Sequence, residues 1–340
     1  MRNIIKSLCV ILFPVTCVAQ ETMPTVNIDA QAKVGYYDDR VGSEKLHNSS
    51  GFKGDYLNLI INGRINNQFS YSWRQRLNKK IENNGFFDAT DWMYICYQAN
   101  KNWNIAGGKQ IVLIGGYEYD RAPIDVYTYS EYCNNIGCYQ FGVSATYITD
   151  SGKDKFSVQF SESPVRYYGK RDLYAYNVFW NGSHGLWHSL YSVNLIQYAS
   201  GKYISYIALG NKITMGNVSL ELDVMNRAAR KQAYLFRDCS VMANVDYRVL
   251  PKLNVYGKVT YDVNKTKTEA DNCVKSGTEL RMISGGLEFF PIKNKNDIRL
   301  NIGVAHTHGK NSNPDGTLLN DRLTAQIGVT AKLHLLSYGK

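Results

Sequence analysis

The fold that this sequence predicts is all-β, a transmembrane antiparallel β-barrel of about sixteen strands. The main observation lies near the C-terminal end: every odd position from Leu323 to Leu335 is apolar, and the even positions are polar or glycine. A period of two indicates a strand with one apolar face. The run exceeds the roughly five or six residues of a typical soluble strand and reaches the ~9–11 residues that a tilted strand needs to cross a bilayer.

Further segments show the same alternation, so the pattern extends over the chain. They lie at 57–65, 69–77, 241–249, 255–263 and 298–304. Two others, 203–213 and 278–290, lose the phase, and for the second we expect a β-bulge at Gly285-Gly286. At about twenty residues for each strand with its connections, the chain accommodates about sixteen strands, and fourteen or eighteen are the alternatives.

Short and long connections alternate between these strands. Asn, Asp, Gly and Pro form tight turns at 66–67, 100–102, 150–153, 251–252 and 293–297. Longer polar stretches lie at 117–136, 227–237, 264–277 and 310–320. Bacterial outer-membrane barrels have this rhythm of short periplasmic turns and longer extracellular loops.

The first residues have the three-part layout of a secretory signal. Arg2 and Lys6 precede an apolar run from Leu8 to Val15, and small residues lead to Ala19. The apolar run is shorter than the ~20 residues of a membrane-spanning helix, and a lipidated Cys17 is a further alternative. We expect residues 1–19 to be a cleaved signal peptide and residues 20–340 to form one barrel domain in the outer membrane of a bacterial cell, in contact with its lipid.

The formal net charge of +10 does not indicate nucleic-acid binding. Many lysines fall in apparent turns, such as 79–80, 265–267 and 293–295. A nucleic-acid site would gather them on one face with interleaved aromatic residues.

No group of residues predicts catalysis, a cofactor or a metal site. His184 and His188 flank a turn, and His306 and His308 lie at a loop mouth, so neither pair has the geometry of a zinc site. Two alternatives to a channel are an outer-membrane barrel enzyme of the lipase or protease type and a secreted β-sandwich adhesin or glycan-binding protein. The first would need Ser, His and Asp at its rim, and the second would dissolve without detergent.

The alternation also predicts which charges face the interior. By parity the basic residues inside are Lys33, Arg64, Arg74, Arg76, Arg248, Lys258, Arg299 and Lys332, and the acidic residues inside are Asp29, Glu221, Asp223, Asp246, Asp262 and Glu279. Charged rings in a pore set its ion selectivity. The small basic excess predicts a water-filled channel for small hydrophilic solutes with a mild preference for anions.

Several motifs resemble the phosphate-selective porin O/P family of Bacteroidetes-type bacteria. They are Gly108-Lys109-Gln110, Gly115-Gly116-Tyr117-Glu118, Pro123-Ile124-Asp125-Val126-Tyr127 and Tyr129-Ser130-Glu131, and more weakly Gly210-Asn211, 223–227 and 286–291. The resemblance covers most of the mature chain thinly and is most specific at residues 108–131. It implies a sixteen-stranded, homotrimeric outer-membrane porin that is not an enzyme, with phosphate among the candidate anions.

The resemblance further implies that a loop at about 117–136, between the fifth and sixth strands, folds into the lumen and narrows it. The alternative is a surface excursion. The loop departs from the clustered lysines of phosphate-selective members, because it carries Glu118, Asp120, Asp125 and Glu131 against Arg121. This departure makes strict phosphate selectivity doubtful.

Arg74 and Arg76 lie two apart on one strand, so both point to the same side. We expect them to form a charged constriction wall opposite Glu118 or Asp120, and the alternative is that they pair with lumen acids and stiffen the barrel. The full set of pore candidates is Arg64, Arg74, Arg76, Lys109, Glu118, Asp120, Arg121 and Asp125.

Five of the seven cysteines would remain after signal cleavage. Cys133 and Cys138 flank a short turn sequence within the predicted loop. In an oxidising compartment such a pair predicts either a disulfide that pins the loop or two separate thiols.

Overall fold

The structure is a computed structural model that describes residues 23–81, 85–165, 172–232, 235–292 and 297–339. The predicted signal peptide at residues 1–19 lies outside the described residues. Within the described part of the chain, no helix is long and apolar enough to cross a membrane.

Sixteen long antiparallel strands form a closed barrel, which confirms the predicted fold and strand number. Each strand pairs with its neighbours in the sequence, and β1 closes the ring by pairing with β16, with Ala32 opposite Ala331. A closed single sheet excludes the β-sandwich alternative. The strands are β1 Thr25–Val41, β2 Gly51–Arg64, β3 Phe69–Arg76, β4 Thr90–Gln98, β5 Trp103–Ile111, β6 Tyr139–Ile148, β7 Asp154–Glu162, β8 Tyr174–His184, β9 Trp187–Ala199, β10 Lys202–Met215, β11 Val218–Ala229, β12 Asp238–Leu250, β13 Leu253–Asn264, β14 Glu279–Phe289, β15 Ile298–Lys310 and β16 Arg322–Tyr338.

The alternation of β16 corresponds to two faces of the barrel wall. Ile327 is 57% exposed on the outside, and its neighbour Gln326 is 7% exposed on the inside. The other apolar odd positions of this strand, such as Leu323 and Leu335, are exposed on the outside as well. Such an outer face suits hydrocarbon, because only alternate residues of a membrane strand meet lipid.

The connections keep the predicted rhythm with one clear exception. One end of the barrel has turns at 65–68, 99–102, 149–153, 185–186, 216–217 and 251–252. Longer connections at the other end include 77–89, 112–138, 265–278 and 311–321. The exception at the long-loop end is the two-residue turn at 200–201 between β9 and β10.

The predicted bulge at Gly285-Gly286 is wrong, because β14 pairs with both neighbours in unbroken register through these residues. The alternation of polar and apolar residues is lost at 203–213 and 278–290 because some inward positions of β10 and β14 are apolar. Ile204 and Tyr206 of β10, and Leu280 and Met282 of β14, face inward and are buried. These side chains do not face water, since other parts of the chain fill the lumen beside them.

The longest connection, residues 112–138, lies inside the barrel, and we call it the inner loop. It contains the helices α1 Tyr117–Asp120 and α2 Glu131–Asn135 with the 3-10 turn Pro123–Asp125 between them. A further 3-10 turn, Gly85–Asp88, lies in the connection before β4. Val112, Ile114, Tyr119 and Tyr132 of the inner loop join the wall residues of β8 to β11 in one apolar cluster. The main core of this barrel is therefore inside the lumen.

Candidate functional site in the lumen

The inner loop makes hydrogen bonds to strands all around the wall. The Gly115 backbone N–H donates to Ser192 Oγ of β9 at 2.9 Å, and Arg299 of β15 donates to the Ile124 carbonyl at 3.1 Å. Lys33 of β1 donates to the Val126 carbonyl at 2.8 Å. Because its contacts extend across the lumen, the loop is held as part of the barrel interior.

Two wall aspartates bind the two short helices of the loop at their first backbone N–H groups. Asp223 of β11 accepts from the Tyr117 and Glu118 N–H groups, both at 2.8 Å. Asp262 of β13 accepts from the Glu131 N–H at 2.9 Å. The first N–H groups of a helix have no partner within the helix, and a carboxylate forms strong bonds with them.

Glycines permit the close approach of the loop to the wall. A Cβ at Gly210 of β10 would lie 2.7 Å from the Gly116 Cα, and a Cβ at Gly115 would lie 2.4 Å from the Leu190 carbonyl oxygen. No larger side chain fits at such distances. The motifs Gly115-Gly116, Gly210-Asn211 and Asp223, which are far apart in the sequence, therefore meet at one contact.

A second contact places the tip of the loop on β13 to β15. Tyr127 stacks on Tyr256, with ring centroids 5.0 Å apart, and donates to Glu288 at 2.6 Å. Tyr256 in turn lies on Gly303, where a Cβ would be 2.3 Å from its hydroxyl oxygen. The glycine leaves the space that the two stacked rings occupy.

Asp125 anchors the same part of the loop by ion pairs. Its carboxylate binds Arg299 at 2.6 Å and Lys332 of β16 at 2.7 Å. Burial disfavours the charged form, but the attraction of the two cations outweighs burial and holds the pKa of Asp125 below its ordinary value. Two predicted lumen bases thus serve to hold the loop.

Beneath the loop, a cavity of about 550 Å³ lies against the wall from β10 to β15. Seven acidic and four basic residues line it: Glu118, Asp120, Asp125, Glu221, Asp223, Asp246 and Glu288, and Arg121, Lys212, Lys258 and Arg299. Arg121 binds Glu221 at 2.5 Å, and Lys258 binds Glu118 at 3.0 Å. This part of the lumen therefore has an acidic excess, although the chain as a whole is basic.

Arg74 and Arg76 lie inside the barrel but do not face Glu118 or Asp120. Both bind Asp91 of β4, at 2.7 and 2.9 Å. Arg74 is only 2% exposed, and its guanidinium lies over the Trp92 ring at 3.8 Å. This geometry matches the alternative in which the arginines pair with lumen acids, because Asp91 is closer in the fold than the acids of the loop.

Lys109 is placed on the outer side of the wall, which corrects its assignment to the pore. It pairs in the sheet with the outward residues Met93 and Phe141, and its amino group donates to the Phe87 and Thr90 carbonyls at 2.7 Å. Glu279 also faces outward, where Lys265 binds it at 3.2 Å. Glu279 therefore faces the side opposite to the one that parity predicted, and Lys109 does not reach the pore.

Three further predicted lumen charges, Arg64, Arg248 and Asp29, lie near the short-turn end of the barrel. Arg64 ends β2 at the short-turn end and is exposed. Arg248 of β12 lies over the Phe290 ring at 4.0 Å. Asp29 of β1 binds His334 at 2.8 Å, so these three residues do not join the cavity beneath the loop.

Cys133 and Cys138 are separate thiols in the structure, so a disulfide is not formed. Cys133 lies within α2 and Cys138 precedes β6, and both pack against the apolar cluster. Burial raises the pKa of Cys138 to about 11 and that of Cys133 well above its ordinary value. Thiols with raised pKa values are poor nucleophiles at neutral pH.

Sequence reasoning missed Asp91, Lys212 and Glu288. Lys212 and Glu288 lie in the strands whose alternation is obscured by inward apolar residues. Asp91 lies beside a register shift between Arg74 and Gln75, so simple parity does not place it. The lysine within 203–213 was an available signal, since most charges on a membrane strand face the polar interior.

No group of three or more potential metal-ligating side chains occurs in the ranges that the structure describes. The sequence matches the family model of phosphate-selective porin O and P over residues 26–330. A search of curated proteins finds no significant match.

Solved outer-membrane proteins have a similar fold at low sequence identity. The anion-selective porin from Comamonas acidovorans has 10% identity and a TM-score of 0.65, with 92% of this chain and 100% of that chain covered. The outer membrane channel DcaP of Acinetobacter baumannii has 14% identity and a TM-score of 0.59, with coverages of 92% and 97%. The trimer form of OmpT from Vibrio cholerae has 12% identity and a TM-score of 0.61, with coverages of 91% and 99%.

The family match covers nearly the whole barrel, and the likeness to the solved structures extends over more than 90% of this chain. A barrel with an apolar outside and a polar, loop-lined inside is the architecture of an outer-membrane channel. The chain belongs to the phosphate-selective porin O and P family, whose members are porins of the outer membrane.

Proposed function

We propose that this protein is a passive diffusion channel for small hydrophilic solutes and that the inner loop forms its constriction. The observation that carries the proposal is the path of residues 112–138, which bind β9 and β1 on opposite sides of the lumen. A loop held in this way narrows a water-filled barrel, and the remaining polar surface decides which solutes pass.

The proposed function does not include an anion preference. The mild anion preference expected from the sequence followed from the small basic excess of all the predicted lumen charges, with Arg74 and Arg76 as the expected constriction wall, and phosphate followed from the family resemblance. Both guanidiniums bind the single carboxylate of Asp91, which offsets one of their two charges, and the cavity beneath the loop has more acids than bases.

We further propose that the protein acts as a homotrimer, is exported by a cleaved signal at residues 1–19, and has no enzymatic activity. The trimer form of a structurally similar outer-membrane protein supports the first part. Cys133 and Cys138 of the inner loop are buried with raised pKa values, so neither of these two thiols is an activated nucleophile.

Single-channel recording of the purified protein in a planar lipid bilayer tests the proposal. We expect stable conductance steps that occur in groups of three. A variant in which residues 113–137 are replaced by a short Gly-Ser turn should conduct more current per step, because the constriction is gone. Trimming the outer connection at 43–48, whose bonds are to β1 and to residues of the same connection, serves as the control and should leave the step size nearly unchanged. A silent bilayer with a folded protein would overturn the proposed function.

A further inference from the structure

We propose that the outer wall of β13 to β16 binds a phosphorylated lipid of the outer leaflet, with the phosphate at Arg281 and Lys310 and an acyl chain in the groove below them. This surface lies outside the lumen, so the inference is independent of which solutes the channel passes. It concerns the long-loop end of the barrel, which in outer-membrane barrels faces the exterior of the cell.

Basic side chains lie on the outer wall where β14 and β15 meet the long loops. Arg281 of β14 pairs in the sheet with Tyr261 and His308. Ile283, two residues further along β14, is 62% exposed on the outside, so Arg281 faces outward as well. Lys310 follows His308 by two residues on β15 and is also exposed, so the two bases are neighbours on one face.

Arg281 and Lys310 are available to an anion. Glu279, the nearest acid, accepts from Tyr261 at 2.9 Å and binds Lys265 at 3.2 Å, whereas Arg281 is 3.8 Å from it and 68% exposed. Lys310 makes no ion pair among the residues that the structure describes. A phosphate between the two side chains would therefore not have to displace a closely bound carboxylate.

The other ionisable groups at this edge do not reverse its charge. His306 binds Asp321, the second acid of the edge, at 3.0 Å, and His308 is exposed beside Arg281. The edge thus has three bases against two acids, and its histidine rings can donate further N–H groups to an anion.

Below this basic edge, two adjoining grooves follow β14 and β15 along the outer wall, and we call them together the outer groove. The first, of about 390 Å³, begins beside Arg281 and His308 and reaches Ile283. The second, of about 480 Å³, continues along the same two strands past Leu287 and Ile302. The other side chains around them are mainly apolar, such as Val241, Val259, Val304 and Ile327.

Glycines form the floor of the outer groove. Gly257 of β13 and Gly285 of β14 are opposite each other in the sheet. A Cβ at Gly257 would lie 3.3 Å from the side chain of Val245, which is 40% exposed on the outside, so both positions face outward. A glycine inside a strand costs stability and often marks a place that a ligand approaches closely. Lipid can therefore come nearer to the backbone here than on the rest of the wall.

The length of the outer groove matches one leaflet. The stretch from Arg281 to Leu287 measures about 20 Å along the strand, at roughly 3.3 Å per residue. With a strand tilt of about 40°, this corresponds to a depth of about 15 Å, half of the hydrocarbon core of about 30 Å. An acyl chain whose phosphate lies at Arg281 would end near the middle of the membrane, inside the second groove.

The chemistry of the edge favours a phosphate over an uncharged headgroup. The planar guanidinium of arginine matches two oxygens of a phosphate, and bonds between charged partners are the strong ones. The Arg281 guanidinium also lies 5.7 Å from the centre of the Tyr261 ring, which holds it at the level of the membrane interface. A soluble phosphate ion would use the two bases but would gain nothing from the outer groove.

Native mass spectrometry of the detergent-solubilised protein tests the site. The probe is dimyristoyl phosphatidic acid, and the comparison lipid is dimyristoyl phosphatidylcholine, which has the same chains and a zwitterionic headgroup. We expect one tightly held phosphatidic acid per chain, bound about tenfold more strongly than phosphatidylcholine. Inorganic phosphate at the same concentration should not displace it.

The test variant is Arg281→Gln combined with Lys310→Gln, which should weaken the binding of phosphatidic acid about tenfold, to the level of phosphatidylcholine. The matched control is Lys53→Gln combined with Lys202→Gln, because it removes two exposed bases from the same end of the barrel, on β2 and β10. Ala325→Phe tests the groove separately. Its ring would fill part of the second groove, so both lipids should bind more weakly.

Several results would contradict the proposal. Equal binding of the two lipids, or equal binding by the test variant and its control, would overturn the phosphate site. Displacement by inorganic phosphate alone would indicate a site for a free anion and no lipid site. Lipid that binds only after a trimer dissociates would assign this face to a second copy of the chain. All variants should keep the wild-type conductance, so a failure of this inference leaves the channel function standing.

Discussion

Asp223 and Asp262 each bind the inner loop at one place, the start of a short helix. The alternation of the strands predicts that both carboxylates face the inside of the barrel. The two residues bind the first N–H groups of α1 and α2, so each helix can begin where the wall provides an acceptor. A four- or five-residue helix is too short to be stable alone. The wall therefore determines the local structure of the loop.

Replacing Asp223 with alanine should loosen the loop without opening the barrel. The change removes two bonds from backbone N–H groups to a charged acceptor, and the free energy of unfolding should fall by roughly 1.5–3 kcal/mol. Urea denaturation in lipid vesicles measures this loss, and the noise of the open-channel current should rise. Asp150→Ala in an exposed turn is the control, and an equal loss there would contradict the anchoring role of Asp223.

The ion pairs of Asp125 stabilise the tip of the inner loop, and this stabilisation is lost in acid but not at high pH. Its folded-state pKa is lowered, since the attraction of Arg299 and Lys332 outweighs burial. A lowered pKa means that the stabilisation is complete above the unfolded-state value of roughly 4 and is lost as the pH falls through the folded-state value.

We therefore expect the difference in current noise between Asp125→Asn and the wild type to be constant from about pH 8 to pH 5 and to disappear only in stronger acid. Recording both proteins at stepwise lower pH measures this loss. Asp125→Asn should be noisy at every pH, because the amide cannot hold two cations. Loss of that difference near neutral pH would contradict the assignment to Asp125.

At the scale of elements, a second loop closes over the first. The outer loop at 265–278 is tied to the wall by Arg227, which binds Asp238 at 3.0 Å and Asp271 at 2.7 Å. The same guanidinium lies over the Tyr132 ring of α2 at 5.2 Å. Asn135 of α2 also donates to the Cys273 carbonyl at 2.9 Å. The two loops and the strands β11 and β12 thus share one buried ionic centre.

Arg227→Ala should be strongly destabilising. All three ionic groups are almost fully buried, and removing one partner leaves Asp238 and Asp271 without a countercharge. We expect a loss of about 3–5 kcal/mol in the free energy of unfolding.

Limited proteolysis should then cut the outer loop first, because its tie to the wall is lost. The matched control is Arg281→Ala, whose side chain is 68% exposed and 3.8 Å from Glu279. We expect about 0–1 kcal/mol for that change. Similar losses in both variants would contradict a buried centre.

At the scale of the whole molecule, the barrel exchanges the usual positions of polar and apolar residues. The outer wall is apolar, and aromatic pairs lie on it near the short-turn end, such as Phe69 with Tyr97 and Trp103 with Tyr147, with ring centroids 5.0 and 5.3 Å apart. Aromatic belts of this kind lie at the membrane interface. The polar residues and most of the ion pairs lie inside.

A charge placed on the outer wall of β16 should cost more at mid-strand than at its end. Ile327→Arg puts the guanidinium in the middle of the apolar face, and we expect about 2–4 kcal/mol of destabilisation in lipid. Leu323→Arg near the long-loop end is the control, with about 0–1 kcal/mol. Urea titration in vesicles compares the two, and equal values would argue against the assigned membrane level.

The sequence alone determined the barrel, because the side-chain period of a strand is fixed by backbone geometry and the membrane requires one apolar face. The run from Leu323 to Leu335 and the rhythm of turns were sufficient for a barrel of about sixteen strands, and the structure decided between sixteen and the alternatives of fourteen or eighteen. The sequence also placed Asp223, Asp246, Lys258 and Arg299 on the inner face, since that depends only on parity.

Only the tertiary structure decided which of these charges meet. Arg74 binds Asp91, and Lys109 leaves the lumen, because partners are set by where the inner loop lies and by shifts of register. The apolar inward residues Ile204 and Leu280 hid the strand phase for the same reason. Contacts between segments far apart in the chain have no local period, so alternation cannot encode them.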